Sequence, residues 1–158
     1  MMRKRIINRN STEASSADQG CLDLERLAQV EITSEDPAYP IESALTGGTG
    51  AGWLAGQAGE QTVRLVFDEP QKLSRISLVF EEDTEGRTQE FVIRVSADNG
   101  HSYREVLRQQ FTFSPPNTTR EAEDYTVSLD GVTTLELTVV PEISGGDARA
   151  SLARLRLA

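Results

Sequence analysis

Asp98, His101 and Ser102 supply the three residue types of a nucleophilic triad within one short segment. A working triad needs a base that bridges the nucleophile and the orienting acid from different directions, which three residues of one tight turn cannot provide. His101 is also the only histidine, so the expectation is an exposed polar turn and no catalytic residue. A hydrolase would need carboxylates from separate loops to meet in space. The run Gly47-Gly48-Thr49-Gly50-Ala51-Gly52 has the composition of a phosphate-cradling loop, but no strand precedes it and no helix follows to aim amides at a phosphate. It reads as a flexible loop leading to Trp53.

Three other places carry recognition chemistry. Trp53 offers an aromatic face for a ligand, or packs at the edge of a fold. Glu81-Glu82-Asp83-Thr84-Glu85-Gly86-Arg87 joins two strand-like runs and could coordinate a cation or grip a basic partner, its plainer reading being a solvated acidic loop. Phe111-Thr112-Phe113-Ser114-Pro115-Pro116-Asn117 combines aromatics, a stiff Pro-Pro and an amide on one connection, although Phe111 and Phe113 at period two could simply be buried together. The candidate ligand-binding residues are therefore Trp53, Glu82, Arg87, Phe113 and Asn117, with no metal ligand among them.

These residues need strands to hold them. Phe91, Ile93 and Val95 alternate on one face, and the Asp98-Asn99-Gly100 turn that follows supplies the positive φ values of a hairpin, with a return strand from Tyr103. Short β-like runs recur from Leu27 onward: Ala28 to Thr33, Gln61 to Phe67 with Val63, Leu65 and Phe67 inward, and then Ile76, Leu78 and Phe80 inward after a turn at Asp68-Glu69-Pro70. Those two runs read as neighbouring strands. Further runs span Tyr125 to Leu129, Leu135 to Val140 and Leu152 to Leu157. Long helical patterns are absent, which leaves an all-β, antiparallel sandwich or jelly roll.

The chain has 158 residues and a formal net charge of -9. That length suits one domain, divided as an N-terminal arm over residues 1–26 and a β-sandwich over 27–158, with Cys21 to Leu27 packing against the sandwich, a segment that could form a helical turn but is too short for its pattern to decide. The acidic balance opposes binding to nucleic acid or anionic membrane, because phosphate binding depends on Lys and Arg. A single cysteine excludes an intramolecular disulfide. Met1-Met2-Arg3-Lys4-Arg5 could open a signal peptide, but Asn8, Arg9 and Asn10 interrupt the apolar core at once. A cytoplasmic location is expected.

Several separated features match one family in order. They are Ile32-Thr33-Ser34-Glu35, Glu42-Ser43-Ala44-Leu45-Thr46-Gly47, Trp53, the paired runs to Phe80, the hairpin Ser96-Ala97-Asp98-Asn99-Gly100-His101-Ser102-Tyr103, and the closing Leu152 to Leu157. From about Leu27 to the end the chain resembles the discoidin-like (coagulation factor V/VIII C-type), galactose-binding-domain-like β-sandwiches. The resemblance implies a jelly-roll module that binds rather than catalyses. Members include carbohydrate-binding modules, lipid-binding coagulation-factor domains and intracellular protein-interaction domains.

Departures from the family pattern shape the expected ligand. Many members hold a structural calcium through an Asp of the early loop and a Glu of the last strand, and the matching positions here are Thr46 and Arg154. Losing a carboxylate and adding a guanidinium disfavours a hard cation, so no calcium and no other cofactor is expected. Sugar-binding members present His, Arg and Asn beside an aromatic, whereas here the lone histidine lies in the hairpin turn and Glu81-Glu82-Asp83 occupies the usual Arg position. The expected function is a non-catalytic ligand-binding module that recognises a glycan through loops at one end of the sandwich. The alternative is an intracellular protein–protein interaction domain of the same fold.

Overall fold

The computed structural model describes residues 20–46 and 51–158. The N-terminal arm to residue 19 and Gly47 to Gly50 of the glycine-rich loop lie outside the described residues. Eight strands follow in chain order: β1 (Ala28–Ile32), β2 (Trp53–Ala58), β3 (Gln61–Glu81), β4 (Arg87–Ser96), β5 (Arg104–Phe113), β6 (Arg120–Val140), β7 (Arg149–Leu152) and β8 (Arg154–Leu157). Two single-turn helices, α1 (Leu24–Leu27) and α2 (Glu42–Leu45), flank β1. All strand pairings are antiparallel.

The expected turn at Asp68-Glu69-Pro70 is a corner, and the runs on either side of it are not neighbours but two halves of the 21-residue β3. Its first half pairs with β1 and the second half of β6, and its second half pairs with β8 and the first half of β6. Register against β6 shifts three times between Val66 and Arg75. Pro70 has no N–H to donate to a ladder, and strands that pass from one layer of a sandwich to the other do so through such irregularities. Tyr125 to Leu129 and Leu135 to Val140 are likewise the two halves of β6. Its bend contains Gly131 at φ 65°.

Alternation works as expected within each half. Val63, Leu65, Ile76, Leu78 and Phe80 are buried together with Phe91, Ile93, Leu135 and Leu137 in one core, and each such side chain contributes roughly 1.5–3 kcal/mol. Phe80 and Phe91 join the layers through rings 5.1 Å apart. Leu24 of α1 also enters this core, and the Leu22 N–H donates to the Leu157 carbonyl, so the segment before β1 does pack on the sandwich.

β4 and β5 form the hairpin, with Asn99 at φ 61° and Gly100 at φ 87°. Asp98 organises its turn. One carboxylate oxygen accepts the Ser96 hydroxyl and the Ser102 N–H, and the other accepts the Ser102 hydroxyl at 2.6 Å. Those donors, led by the Ser102 hydroxyl, hold the Asp98 carboxyl well below the usual range.

Candidate functional site

The hairpin turn has no catalytic geometry. The Ser102 hydroxyl turns directly to the Asp98 carboxylate, and His101 Nδ1 lies 2.7 Å from the Asp98 carbonyl oxygen. The imidazole does not bridge the serine and the acid, which is the relation a triad requires.

Beside the β3–β4 loop, three of the sequence candidates form one cluster. Pairing of β4 with β5 sets Arg87 opposite Phe113. The guanidinium lies 4.9 Å over the Phe113 ring, a cation–π contact. Its Nε donates to Glu82 at 2.7 Å, and its Nη1 donates to the Pro141 carbonyl at 2.8 Å and to Gln89 at 3.2 Å. The second oxygen of Glu82 accepts the N–H groups of Thr84 and Glu85 and the Thr84 hydroxyl, which fixes the acidic loop. Burial works to raise the Glu82 carboxyl, but Arg87 and the loop donors outweigh it and hold the group below its ordinary value.

The cluster continues inward, where Gln89 donates to Glu121 at 2.9 Å. Arg87 Nη2 and Glu121 Oε2 are buried without a hydrogen-bond partner. Burial pushes the Glu121 carboxyl up to about 8, reinforced by Glu123. Phe113 is fully buried and meets Phe111 edge-on at 5.0 Å. Arg87 and Phe113 therefore support the loop from behind and present no face to solvent. Asn117 is exposed on the turn from Ser114 to Thr118, its N–H donating to the Ser114 carbonyl.

The open concavity lies on the other side of that loop. It has a volume of about 790 Å³ and is walled by the β3–β4 loop, the start of β6, and the ribbon of β2 and β7. Trp53 and Glu82 line it, whereas Arg87, Phe113 and Asn117 do not. Trp53 is 2% exposed and forms the floor, with its indole N–H donating to the Ser34 carbonyl at 3.1 Å. Just before it, Gly52 at φ 92° passes so close to β7 that a Cβ would sit 2.5 Å from the Leu152 carbonyl.

Tyr39 is the aromatic that faces outward here, 40% exposed. A compact turn presents it. Asp36 accepts the Ala38 N–H through its side chain and the Tyr39 N–H through its carbonyl, and the Tyr39 carbonyl accepts the Leu54 N–H. Arg149 closes the arrangement, donating to Asp36 at 3.5 Å and to the Ala55 carbonyl at 3.2 Å. Sequence reasoning missed Tyr39, Arg120, Asp147 and Arg149. The one available signal is Asp36-Pro37-Ala38-Tyr39-Pro40, a tyrosine held between two prolines in a turn.

The guanidinium expected beside the early loop comes from Arg156, not Arg154. Arg156 donates to the carbonyls of Ala44 and Thr46 at 3.0 and 2.7 Å, while Arg154 is exposed. Residues two apart on β8 share a face, so both arginines point to the same side and the one further along the strand is the one that reaches the early loop. Among the described residues no group of three or more His, Cys, Asp or Glu could hold a metal ion, and no helix is long and apolar enough to cross a membrane.

No curated protein matches the chain in sequence. Solved structures do match its fold. A family 32 CBM from C. perfringens NanJ in complex with galactose is 19% identical, covering 87% of this chain and 96% of that one with a TM-score of 0.61. A CBM32 from a family 31 glycoside hydrolase of Clostridium perfringens is 18% identical over 92% of this chain and 98% of that one, TM-score 0.62. A pectin-binding carbohydrate-binding module is 17% identical over 84% and 90%, TM-score 0.61. At such identities the likeness establishes the fold. The F5/8 type C domain family itself matches residues 29–154, from β1 into β8, and with the two-layer antiparallel architecture this places the chain in the F5/8 type C, or discoidin-like, family.

Proposed function

We propose that the domain is a non-catalytic carbohydrate-binding module whose glycan lies in the groove against Tyr39, above the Trp53 floor and beside the Glu82 loop. The observation that carries this reading is the exposed Tyr39, whose backbone the turn holds at a concavity rich in hydrogen-bonding groups. An apolar sugar face stacks on such a ring while carboxylate, hydroxyl and guanidinium groups engage the sugar hydroxyls. Arg87 and Phe113 act behind the wall by holding its loop. The similar carbohydrate-binding modules support the ligand class. Among the described residues the large apolar side chains exposed are Tyr39 and Ile143, which gives little for a protein partner to cover.

A glycan array followed by titration calorimetry tests the proposal. Tyr39→Ala is expected to weaken the best glycan by about ten-fold or more, equivalent to about 1.4 kcal/mol, while Tm stays that of the parent protein. Silence across neutral and charged glycans would overturn it.

Binding and stability are further expected to be indifferent to calcium. The Arg156 guanidinium already satisfies the Ala44 and Thr46 carbonyls, and a divalent cation placed there would meet positive charge. Melting in excess calcium and in chelator should coincide, and a calcium-dependent rise in Tm would count against this assignment.

A further inference from the structure

The charge balance of the groove says more about its ligand. Five carboxylates line it, from Glu81, Glu82, Asp83, Glu85 and Asp147, against the two guanidinium groups of Arg120 and Arg149. Both cations are matched, Arg120 to Glu81 at 3.8 Å and Arg149 to Asp36 at 3.5 Å. Glu82 is taken up by Arg87. Asp83, Glu85 and Asp147 are exposed, and none of them belongs to an ion pair. Among the described residues a ligand that enters the groove therefore meets an excess of negative charge, with each of the two arginines already beside a carboxylate.

We infer that the groove selects glycans by charge: it prefers sugars bearing protonated amino groups, accepts neutral ones and rejects uronates. The inference rests on the carbohydrate-binding reading above and narrows it. Carboxylates within a few ångströms of a bound sugar attract an ammonium and repel a uronate, and because these groups are exposed the discrimination is salt-dependent. The pectin-binding relative, matched in fold at a comparable level, thus does not share this chain's ligand class. Tyr39 supplies the stacking that all sugars share, and the three carboxylates supply the choice among them.

Affinity electrophoresis of the full chain at slightly acid pH provides the test, with galactan as the neutral probe, chitosan as the amine-bearing one, and polygalacturonate and alginate as the anionic ones. Chitosan should retard the protein at least about ten-fold more strongly than galactan at low salt, with the gap closing as salt shortens the Debye length. Neither anionic gel should retard it. Non-specific attraction of an acidic protein to a polycation is controlled by Tyr39→Ala, which must lose chitosan retardation although it keeps the charge. The combined variant Asp83→Asn, Glu85→Gln, Asp147→Asn should bring chitosan and galactan together. Retardation by polygalacturonate equal to that by galactan would overturn the charge selection and leave the carbohydrate reading in place, as would an undiminished chitosan preference in the combined variant. Retardation by none of these probes, with a silent array, overturns both.

Discussion

Arg87→Ala is expected to lower the unfolding free energy by about 3–5 kcal/mol, the usual result of removing one partner from a buried charge pair. The measurement is urea denaturation at neutral pH. The arginine side chain is 2% exposed and Glu82 16%, so water cannot take over the vacated partners. Truncation leaves the Pro141 carbonyl without its donor, uncovers the Phe113 ring, and releases the carboxylate that ties down Thr84 and Glu85. Lysine keeps the charge but lacks the planar fork that stacks and donates in two directions, so Arg87→Lys should recover only part of the loss. A change below about 1 kcal/mol, the level of an exposed pair, would show that the cluster contributes no more than a surface contact.

The same pair predicts an acid limb. Because the folded Glu82 carboxyl lies below its ordinary value of 4.5, the unfolded chain takes up its proton first as pH falls. The contribution of the pair is therefore complete above that ordinary value and is lost as pH drops through the folded value. Arg87→Ala should flatten this part of the stability profile as well as lower it.

Local patterns and long-range pairings were not equally legible in the chain. Asn99-Gly100 announces a hairpin because only a few residue types tolerate positive φ, and the period-two burial of Val63, Leu65 and Phe67 follows from strand geometry alone. By contrast, Asp68-Glu69-Pro70 has turn composition yet sits inside one strand. Whether a chain reverses or merely bends at such a point depends on which strand it pairs with next, and β6 arrives some fifty residues later to pair with both halves of β3. The binding groove has the same difficulty in stronger form. Tyr39, Trp53, Glu82, Arg120 and Arg149 come from five separated segments, and no period or spacing connects them. Arg87 and Phe113 could be nominated because their residue types suit recognition. Only the β4–β5 register and the cover of the layers show that this chemistry is spent on each other.

Glu121→Gln is expected to do the opposite of most core substitutions and stabilise the domain at alkaline pH. Glu121 stands opposite Phe80 on β6, which turns its side chain to the same buried side, and it is 1% exposed. Gln89 satisfies one of its oxygens. Burial first and then Glu123, two residues along the strand, disfavour the charged form of Glu121, and Tyr125 on the same face is itself pushed up to about 12, by burial first and then by these two carboxyls. From the ordinary value of 4.5 up to about 8 the folded protein keeps a proton on Glu121 that the unfolded chain has released. Stability therefore falls as pH rises through that window and levels off above it, with no penalty below the ordinary value. Glutamine is neutral throughout and retains an oxygen for Gln89, so its profile should run flat where the parent declines. The two proteins should be equally stable near the acid end of the window and differ by on the order of 5 kcal/mol at about pH 9, at about 1.4 kcal/mol for each pH unit of displacement. Parallel profiles across the whole range would mean that Glu121 ionises as an ordinary surface carboxyl, and that the inner end of the Arg87 cluster is open to water.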